Sequence, residues 1–179
     1  SDGVELNGWM IKPADFDSTK KYPVFMFVYG GPGSQTVENR WGGANDLWYQ
    51  YLSQKGYIVA SVDNRGTGAR GSAFKKCTYK ELGKLETFDQ VEAAKYLCTL
   101  PWVDKNRIGI QGWSYGGYMS ALCITKGADI FKMAIAVAPV SILFVIFMDC
   151  LELLVAFLQA YVFTLLSALF ISLAVQEHH

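Results

Sequence analysis

The sequence predicts an α/β fold with a mostly parallel sheet, followed by one long apolar helix. Up to about residue 140, short apolar runs of strand length alternate with stretches of helical periodicity, which is the pattern of strand–helix–strand units. Glycine-rich or polar loops follow three of the apolar runs. From residue 141 onward the sequence is almost continuously apolar. We therefore expect two parts, a globular unit over 1–140 and a hydrophobic helical segment over 141–179.

In the first half of the globular part, the sequence predicts three strands and one helix. Residues 4–11 alternate between apolar and polar side chains, as a half-exposed edge strand does, and residues 23–29 form an apolar run typical of a central strand. A helix is predicted over 44–55, where Gly56 ends the pattern, and a further buried strand over 57–62. The apolar positions of this helix are Leu47, Trp48, Tyr51 and Leu52.

The second half continues the alternation. It predicts a helix over 86–100 that Pro101 ends, a strand over 107–111, a helix over 118–125 and a strand over 131–137. The apolar positions of the first of these helices are Val91, Ala94, Tyr96 and Leu97. Because the carboxyl ends of parallel strands meet at one edge of a sheet, the loops that follow the strands come together there. These loops are residues 30–33, 63–68 and 112–117.

One of these loops has the pattern of a nucleophile elbow. The motif G-x-S-x-G, between a predicted strand and a predicted helix, is matched by Gly112-Trp113-Ser114-Tyr115-Gly116-Gly117. Its glycines allow a tight turn that lifts the serine hydroxyl clear of the sheet. Ser114 is therefore the candidate nucleophile. The chain is short for the fold that carries this elbow, so the sequence predicts a partial α/β-hydrolase.

A serine nucleophile needs a base and an oxyanion site. The base is usually a histidine oriented by a carboxylate, and both follow the serine in the α/β-hydrolase order. The elbow supplies the backbone N–H of Tyr115 to the oxyanion, and the loop after the 24–29 strand can supply the phenol of Tyr29. Two other interpretations stay open: Tyr29 as a core residue at a strand end, and residues 30–33 as a simple turn.

Four motifs, in this order along the chain, resemble one peptidase family. They are Val28-Tyr29-Gly30-Gly31-Pro32-Gly33, Asp63-Asn64-Arg65-Gly66-Thr67-Gly68, Gly83 with residues 86–94, and Gly112-Trp113-Ser114-Tyr115-Gly116-Gly117-Tyr118. Over about residues 1–140 they resemble the catalytic domain of prolyl oligopeptidase-family serine peptidases, and most of all the dipeptidyl peptidase IV branch. The resemblance implies an acyl-enzyme on Ser114 and an oxyanion hole formed by Tyr29 and the N–H of Tyr115. It also implies short peptide substrates, often cleaved after a proline near the amino terminus.

The family pattern stops after about residue 140. Members of the family carry the aspartate and histidine of the triad later in the catalytic domain, and a propeller that holds the amino group of the substrate. The sequence contains neither. His178 and His179 follow Ser114 but close the apolar tail, so we do not expect either to act as the base. We expect a truncated and nearly inactive peptidase domain.

Composition argues against several other classes of function. Sixteen basic and sixteen acidic residues give a net charge of zero, so no nucleic-acid partner is predicted. The cysteines form no C-x-x-C pair and the histidines stand only at the end, so no metal site and no cofactor are predicted. The cysteines are Cys77, Cys98, Cys123 and Cys150. Disulfide pairing and oligomeric state stay open.

The apolar tail predicts a membrane helix. Residues 153–175 contain no charge, and about 20 apolar residues suffice to cross a bilayer as a helix, so we expect membrane association through 141–175. Over about 147–179 the tail resembles the last transmembrane helix of subunit a of F-type ATP synthases. That resemblance implies that Glu152 and Gln159 face a proton path. The essential arginine of that subunit belongs to an earlier helix, so we do not expect proton conduction by this chain alone.

Three hypotheses of function follow. The first is a serine peptidase domain joined to a foreign membrane helix in a chimeric chain, with the parent peptidase periplasmic or extracellular by resemblance; the sequence begins with no signal peptide. The second is a membrane component related to subunit a that carries an unrelated soluble head. The third is a non-catalytic α/β binding module. In the family, strands and helices after residue 140 cover one edge and one face of the sheet, so we expect the edge strand 133–137 to be open and to favour aggregation.

Overall fold

The computed structural model describes residues 3–140 and 142–176, with side chains of the last helix described over 147–172. It contains two compact units, Ser1–Pro139 and Val140–His179. The strands are β1 (Asn7–Ile11), β2 (Tyr22–Phe27), β3 (Ile58–Asp63), β4 (Val103–Trp113) and β5 (Phe131–Val137). The helices are α1 (Ala44–Gln54), α2 (Gly71–Lys76), α3 (Leu85–Thr99), α4 (Tyr115–Lys126) and α5 (Ile142–Gln176).

The five strands form one mixed sheet in the order β1-β3-β2-β4-β5. Strand β1 runs antiparallel to β3, and the other neighbours are parallel. The predicted mostly parallel sheet and the edge position of the first strand are therefore confirmed, although β1 begins at Asn7 rather than at residue 4. Since β2, β3 and β4 are parallel neighbours, the loops after them leave the same edge of the sheet.

The core lies at the centre of the sheet. Strand β2 is buried along most of its length because it has strands on both sides and helices over its faces. The largest side chains with no exposed surface are Met26, Ile58, Ile108, Ile110 and Met119. This packing fixes the strand ends from which the site loops depart.

The buried face of α1 differs from the prediction. Leu47, Trp48 and Tyr51 are 62%, 50% and 49% exposed, whereas Tyr49 is 6% exposed. The ring of Tyr49 packs 5.3 Å from Trp9 and 5.5 Å from that of Phe27, centroid to centroid. The helix is present, but three of its four predicted apolar positions face outward because the sheet receives the ring of Tyr49 instead. The fourth, Leu52, is half-buried and packs against the cluster that contains Tyr49, as predicted.

Helix α3 has a buried polar end that the periodicity did not predict. Ala94 and Leu97 are buried as expected, but the predicted apolar position Tyr96 is 65% exposed. In the first half of the helix the buried side chains are polar: Glu86, Thr87, Asp89 and Gln90. The short helix α2 was not predicted either, because its six residues show no apolar periodicity.

The β5 edge of the sheet is exposed. Its apolar side chains Met133, Ile135 and Val137 are 48%, 42% and 37% exposed. They alternate along the strand and so share one face. Strand β5 pairs with β4 on one side and, within the described residues, with no strand on the other. The predicted open edge is thus present.

Helix α5 forms the second unit by itself. Its stretch Phe147–Ser172 is 26 residues long and apolar enough to cross a membrane, and none of it is buried. The side chains of Glu152 and Gln159 are exposed on it. His178 and His179 lie outside the described residues.

Candidate active site

Ser114 stands at the tip of a strand-to-helix turn. It directly follows β4, caps the amino end of α4, and has φ 55° and ψ −117°. A positive φ is uncommon for a residue other than glycine and is retained where the surrounding structure enforces it. The residue is exposed, and its N–H donates to the carbonyl of Val137 in β5 at 2.9 Å. The backbone therefore presents the serine hydroxyl to solvent at the carboxyl edge of the sheet.

The glycines of the elbow are required by close backbone contacts. A Cβ on Gly112 would lie 2.3 Å from the carbonyl oxygen of Val28, and a Cβ on Gly116 would lie 2.2 Å from the same atom. A Cβ on Gly117 would lie 2.6 Å from the carbonyl oxygen of Val137. Such distances are far below van der Waals contact, so no other residue fits without backbone movement. The elbow is thus packed between the end of β2 and the end of β5.

The loop after β2 brings Tyr29 close to Tyr115. Gly31 lies between the two rings, because a Cβ on it would be 3.0 Å from Cγ of Tyr115 and 3.2 Å from Cε1 of Tyr29. Gly30 has φ 73°, and a Cβ there would meet Oδ1 of Asn64 at 2.6 Å. Tyr29 is half-buried. The structure therefore brings the three residues predicted for the site, Ser114, Tyr115 and Tyr29, to the same edge of the sheet.

Carboxylate hydrogen bonds at the end of β3 hold the far part of this loop. Asp63 accepts the backbone N–H groups of Thr36 and Val37 at 2.9 Å each, and the Thr36 hydroxyl at 2.6 Å. The indole N–H of Trp9 donates to the carbonyl of Thr36 at 3.0 Å. These bonds join the loop after β2 to strand β1, through Trp9, and to the end of β3, through Asp63.

A second buried network holds the near part of the loop. The side-chain N–H of Asn64 donates to the carbonyl of Gly30 at 3.0 Å, and its Oδ1 accepts a hydrogen bond from the side-chain N–H of Gln90 at 3.0 Å. Beside it, the backbone N–H of Arg65 donates to Asp89 at 2.8 Å, and its guanidinium donates to the same carboxylate at 2.6 Å. All four of these polar side chains are buried. Helix α3 is therefore tied to the loops after both β2 and β3.

The side chain of Tyr115 is anchored by Glu86. Its hydroxyl donates to Oε1 of Glu86 at 2.8 Å, and its ring meets that of Tyr118 edge to face at 5.6 Å. Burial, and then the hydrogen bond to Glu86, raise the pKa of the Tyr115 phenol far above its usual value. The phenol therefore stays protonated and acts as a donor.

A cavity of about 620 Å³ opens beside the elbow. Its lining includes Tyr29 and Trp113, which belong to the loop after β2 and to the elbow, and the aromatic rings of Trp9, Phe27 and Tyr49. The size is within the range of small-molecule and peptide side-chain sites. Trp113, which precedes the serine, is 48% exposed.

Within residues 3–140 and 142–176, no histidine is present to act as a base. Of the carboxylates that follow Ser114, Asp129 precedes β5 and so lies at the amino edge of the sheet, opposite the elbow. The same residues contain no cluster of three metal-ligating side chains, and all four cysteines are free.

Sequence reasoning did not predict the polar layer behind the elbow. The sequence indicated no role for Glu86, Asp89 or residues 63–65, which it contained only as parts of the motifs that carry the resemblance. The available signal was the acidic and amide side chains in the first two turns of α3, on the face that turns toward the sheet. A buried polar run at that position indicates a hydrogen-bonded layer rather than an apolar contact.

Comparison with known proteins identifies the family. A sequence profile of the prolyl oligopeptidase family matches residues 45–152. Human dipeptidyl peptidase 8 is 43% identical over 141 residues, which are 78% of this chain and 16% of that protein. Mouse prolyl endopeptidase FAP is 46% identical over 133 residues, or 74% and 17% of the two chains. The chain thus spans about a sixth of the length of the curated relatives it matches.

Solved structures agree with the sequence comparison. The crystal structure of Porphyromonas gingivalis dipeptidyl peptidase 4 superposes with a TM-score of 0.73 and 52% sequence identity, covering 76% of this chain and 19% of that one. The mixed sheet with its flanking helices therefore has the fold of an α/β-hydrolase domain of the dipeptidyl peptidase 4 type. The family match, the identity and the structural similarity together show that this chain belongs to the prolyl oligopeptidase family.

Proposed function

We propose that the globular unit carries the nucleophile and the oxyanion-binding groups of a serine peptidase of the dipeptidyl peptidase IV type. The observation that supports this best is the backbone of Ser114, held at positive φ with an exposed side chain by three glycine contacts. A strained conformation of this kind costs about 1–3 kcal/mol. A binding module has no need of it, whereas a nucleophile must project beyond the sheet.

In the acylation step the Oγ of Ser114 attacks the carbonyl carbon of a peptide bond. The new C–O bond forms as the carbonyl π electrons move to oxygen, and the resulting oxyanion needs hydrogen-bond donors. The N–H of Tyr115, the first residue of α4, has no partner within its own helix. The phenol of Tyr29 is the second donor. Removing one donor of this kind typically lowers kcat about 100- to 1,000-fold.

The proton of Ser114 must pass to a base and then to the departing amine. Because no histidine lies within the described residues, we infer that acylation by this chain is slow unless a base is supplied. The oxyanion groups and substrate binding alone leave about 10³- to 10⁴-fold catalysis over water in serine peptidases that lack their triad.

The substrate class follows from the relatives. Those named above are a dipeptidyl peptidase and a prolyl endopeptidase. We therefore propose short peptides with a proline before the scissile bond. An Xaa-Pro ester, whose leaving group needs less protonation than an amine, is the suitable test substrate.

The deciding experiment is labelling of the detergent-solubilised chain with a fluorophosphonate probe. We expect slow labelling that added imidazole accelerates, that Ser114→Ala abolishes, and that Ser72→Ala leaves unchanged. Ser72 is an exposed serine in α2 and is the matched control. Labelling that survives Ser114→Ala would show that another serine reacts. No labelling of the unsubstituted chain, even with imidazole, would favour the non-catalytic binding module.

A second candidate function concerns the other unit. The length, apolar composition and exposure of Phe147–Ser172 support a membrane-spanning helix, and polar residues at membrane depth, here Glu152 and Gln159, usually mark function. We propose that α5 attaches the chain to a bilayer, and that its resemblance to ATP synthase subunit a concerns this helix alone. Release of the chain from membranes by alkaline carbonate would contradict attachment. Proton flux into liposomes that contain the chain would instead favour a channel role.

A further inference from the structure

Glu86 is a buried carboxylate that the acylation step does not use. Its exposed fraction is zero, and it is the second residue of α3. Its Oε2 accepts the N–H of Gly83 at 3.0 Å, and its Oε1 accepts the hydroxyl of Tyr115 at 2.8 Å. A helix amino terminus favours a negative charge. Two neutral donors and the helix end therefore stabilise the carboxylate in a site that water does not reach.

The side chain of Tyr115, which Glu86 holds, lies between the elbow and the loop that carries Tyr29. Tyr115 directly follows Ser114 and opens α4. Its ring rests against Gly31 of the loop that carries Tyr29 and meets the ring of Tyr118 edge to face. The hydroxyl is the end of the side chain farthest from the elbow backbone. Fixing that end fixes the ring as a spacer between the elbow and the Tyr29 loop.

We propose that Glu86 is a positioning residue of the peptidase site, which acts by holding the Tyr115 hydroxyl. The hydrogen bond orients the Tyr115 ring, and the ring in turn sets the distance between the elbow and the Tyr29 loop. Both oxyanion donors depend on that distance, because one is the Tyr115 N–H and the other is the Tyr29 phenol. This inference rests on the proposed role of Ser114 as nucleophile.

A carboxylate suits this task better than an amide. The two donors, Gly83 N–H and Tyr115 O–H, converge on different oxygens of Glu86, and a carboxylate offers two acceptors whereas a glutamine offers one. A glutamine has one acceptor oxygen. It would therefore lose one of the two hydrogen bonds, or its N–H would donate to the Tyr115 phenol oxygen, which reverses the direction of that bond. The change from Glu86 to Gln therefore alters the contact with little change in side-chain volume.

Two measurements on the full chain in detergent test the proposal. The first is the imidazole-assisted labelling rate of Ser114, which we expect to fall about tenfold or more in Glu86→Gln, since small misplacements of reacting groups cost up to about 100-fold. The control, Glu81→Gln, changes an exposed glutamate near the same helix end that pairs with Lys84, and we expect no change in rate.

The second measurement uses 3,5-difluorotyrosine at position 115, whose phenol ionises at a lower pH than that of tyrosine. Its ¹⁹F resonance reports ionisation of this one ring. With Glu86 present, we expect a midpoint well above that of the free amino acid, because burial and the carboxylate both oppose the phenolate. Glu86→Gln should lower the midpoint by about one pH unit or more, because it removes the negative charge that accepts the phenol hydrogen bond.

Different outcomes test the positioning role of Glu86 and the role of Ser114 as nucleophile. A shifted fluorine midpoint with an unchanged labelling rate would overturn the positioning role, and an unshifted midpoint would overturn the contact itself. If Glu86→Gln does not fold, Tyr115→Phe removes the same hydrogen bond and keeps the ring, and an unchanged rate in that variant would overturn the proposal. If the unsubstituted chain does not label at all, the role of Ser114 fails, and the fluorine midpoint alone decides whether Glu86 holds Tyr115.

Discussion

The elbow is held differently on its two sides. Toward β2, Gly112 and Gly116 pack against the carbonyl of Val28, which is 1% exposed and belongs to the core. Toward β5, Ser114 and Gly117 contact Val137, which is 37% exposed at the open edge of the sheet. The same short motif thus joins a buried central strand to the exposed edge strand. The core side contributes two close backbone contacts, and the edge side contributes one close contact, at Gly117, and one hydrogen bond, from the Ser114 N–H.

Tryptophan fluorescence can measure this difference. All five tryptophans precede residue 140, so their emission during chemical unfolding reports the globular unit and not α5. We expect substitutions on the core side of the elbow to lower the free energy of unfolding more than substitutions at the β5 edge.

The largest effect is expected on the core side of the elbow. In Gly112→Ala the new methyl group would lie 2.3 Å from the Val28 carbonyl oxygen and 2.5 Å from backbone atoms of Gly116. Neither neighbour is a flexible side chain, so we expect a loss of about 4 kcal/mol or more, or no folded unit. The control is Gly68→Ala, where the nearest atom is 3.5 Å away. Equal stability of the two variants would show that the elbow does not depend on the core contact.

A smaller loss is expected in the polar layer behind the elbow. Asp89→Ala leaves the buried guanidinium of Arg65 without the carboxylate that accepts three of its contacts. Removing one partner of a buried ion pair costs about 3 kcal/mol or more. Asp104→Ala breaks the exposed pair with Arg107 and should cost far less, because solvent screens exposed ion pairs. A similar unfolding midpoint for both variants would contradict a structural role for the buried pair.

The sequence predicted the scaffold better than its polar interior. The strands of a mostly parallel sheet were implied by apolar runs such as 23–29, and the elbow by a motif whose glycines are required by sterics, so both could be inferred locally. The outward rotation of α1, with Trp48 exposed and Tyr49 buried, depends on which side chain fits between strands distant in sequence. That choice is a tertiary effect and carries no periodic signal.

The site residues divide in the same way. Ser114 was predicted from the elbow motif and Tyr29 from the loop after the 24–29 strand, and the resemblance implied the same roles for both. Glu86 and Asp89 appear in the sequence as charges on an amphipathic helix, where a solvated face is the ordinary interpretation. Only the structure shows them buried, since their partners, Tyr115 and Arg65, lie more than twenty residues away in the chain.

The smallest change in stability is expected at the β5 edge, where aggregation is the more sensitive measurement. Ile135 is 42% exposed on the open strand, whereas Ile110 in β4, beside it, has no exposed surface. Ile135→Lys should change the free energy of unfolding by less than about 0.5 kcal/mol, while Ile110→Lys should prevent folding because it buries a charge without a partner. Charged side chains on an edge strand oppose pairing with another chain. In sedimentation velocity the Ile135→Lys chain should therefore contain less aggregate than the unsubstituted chain in the same detergent. A large loss of stability instead would mean that the β5 edge is covered in solution, and the elbow would then be held firmly on both sides.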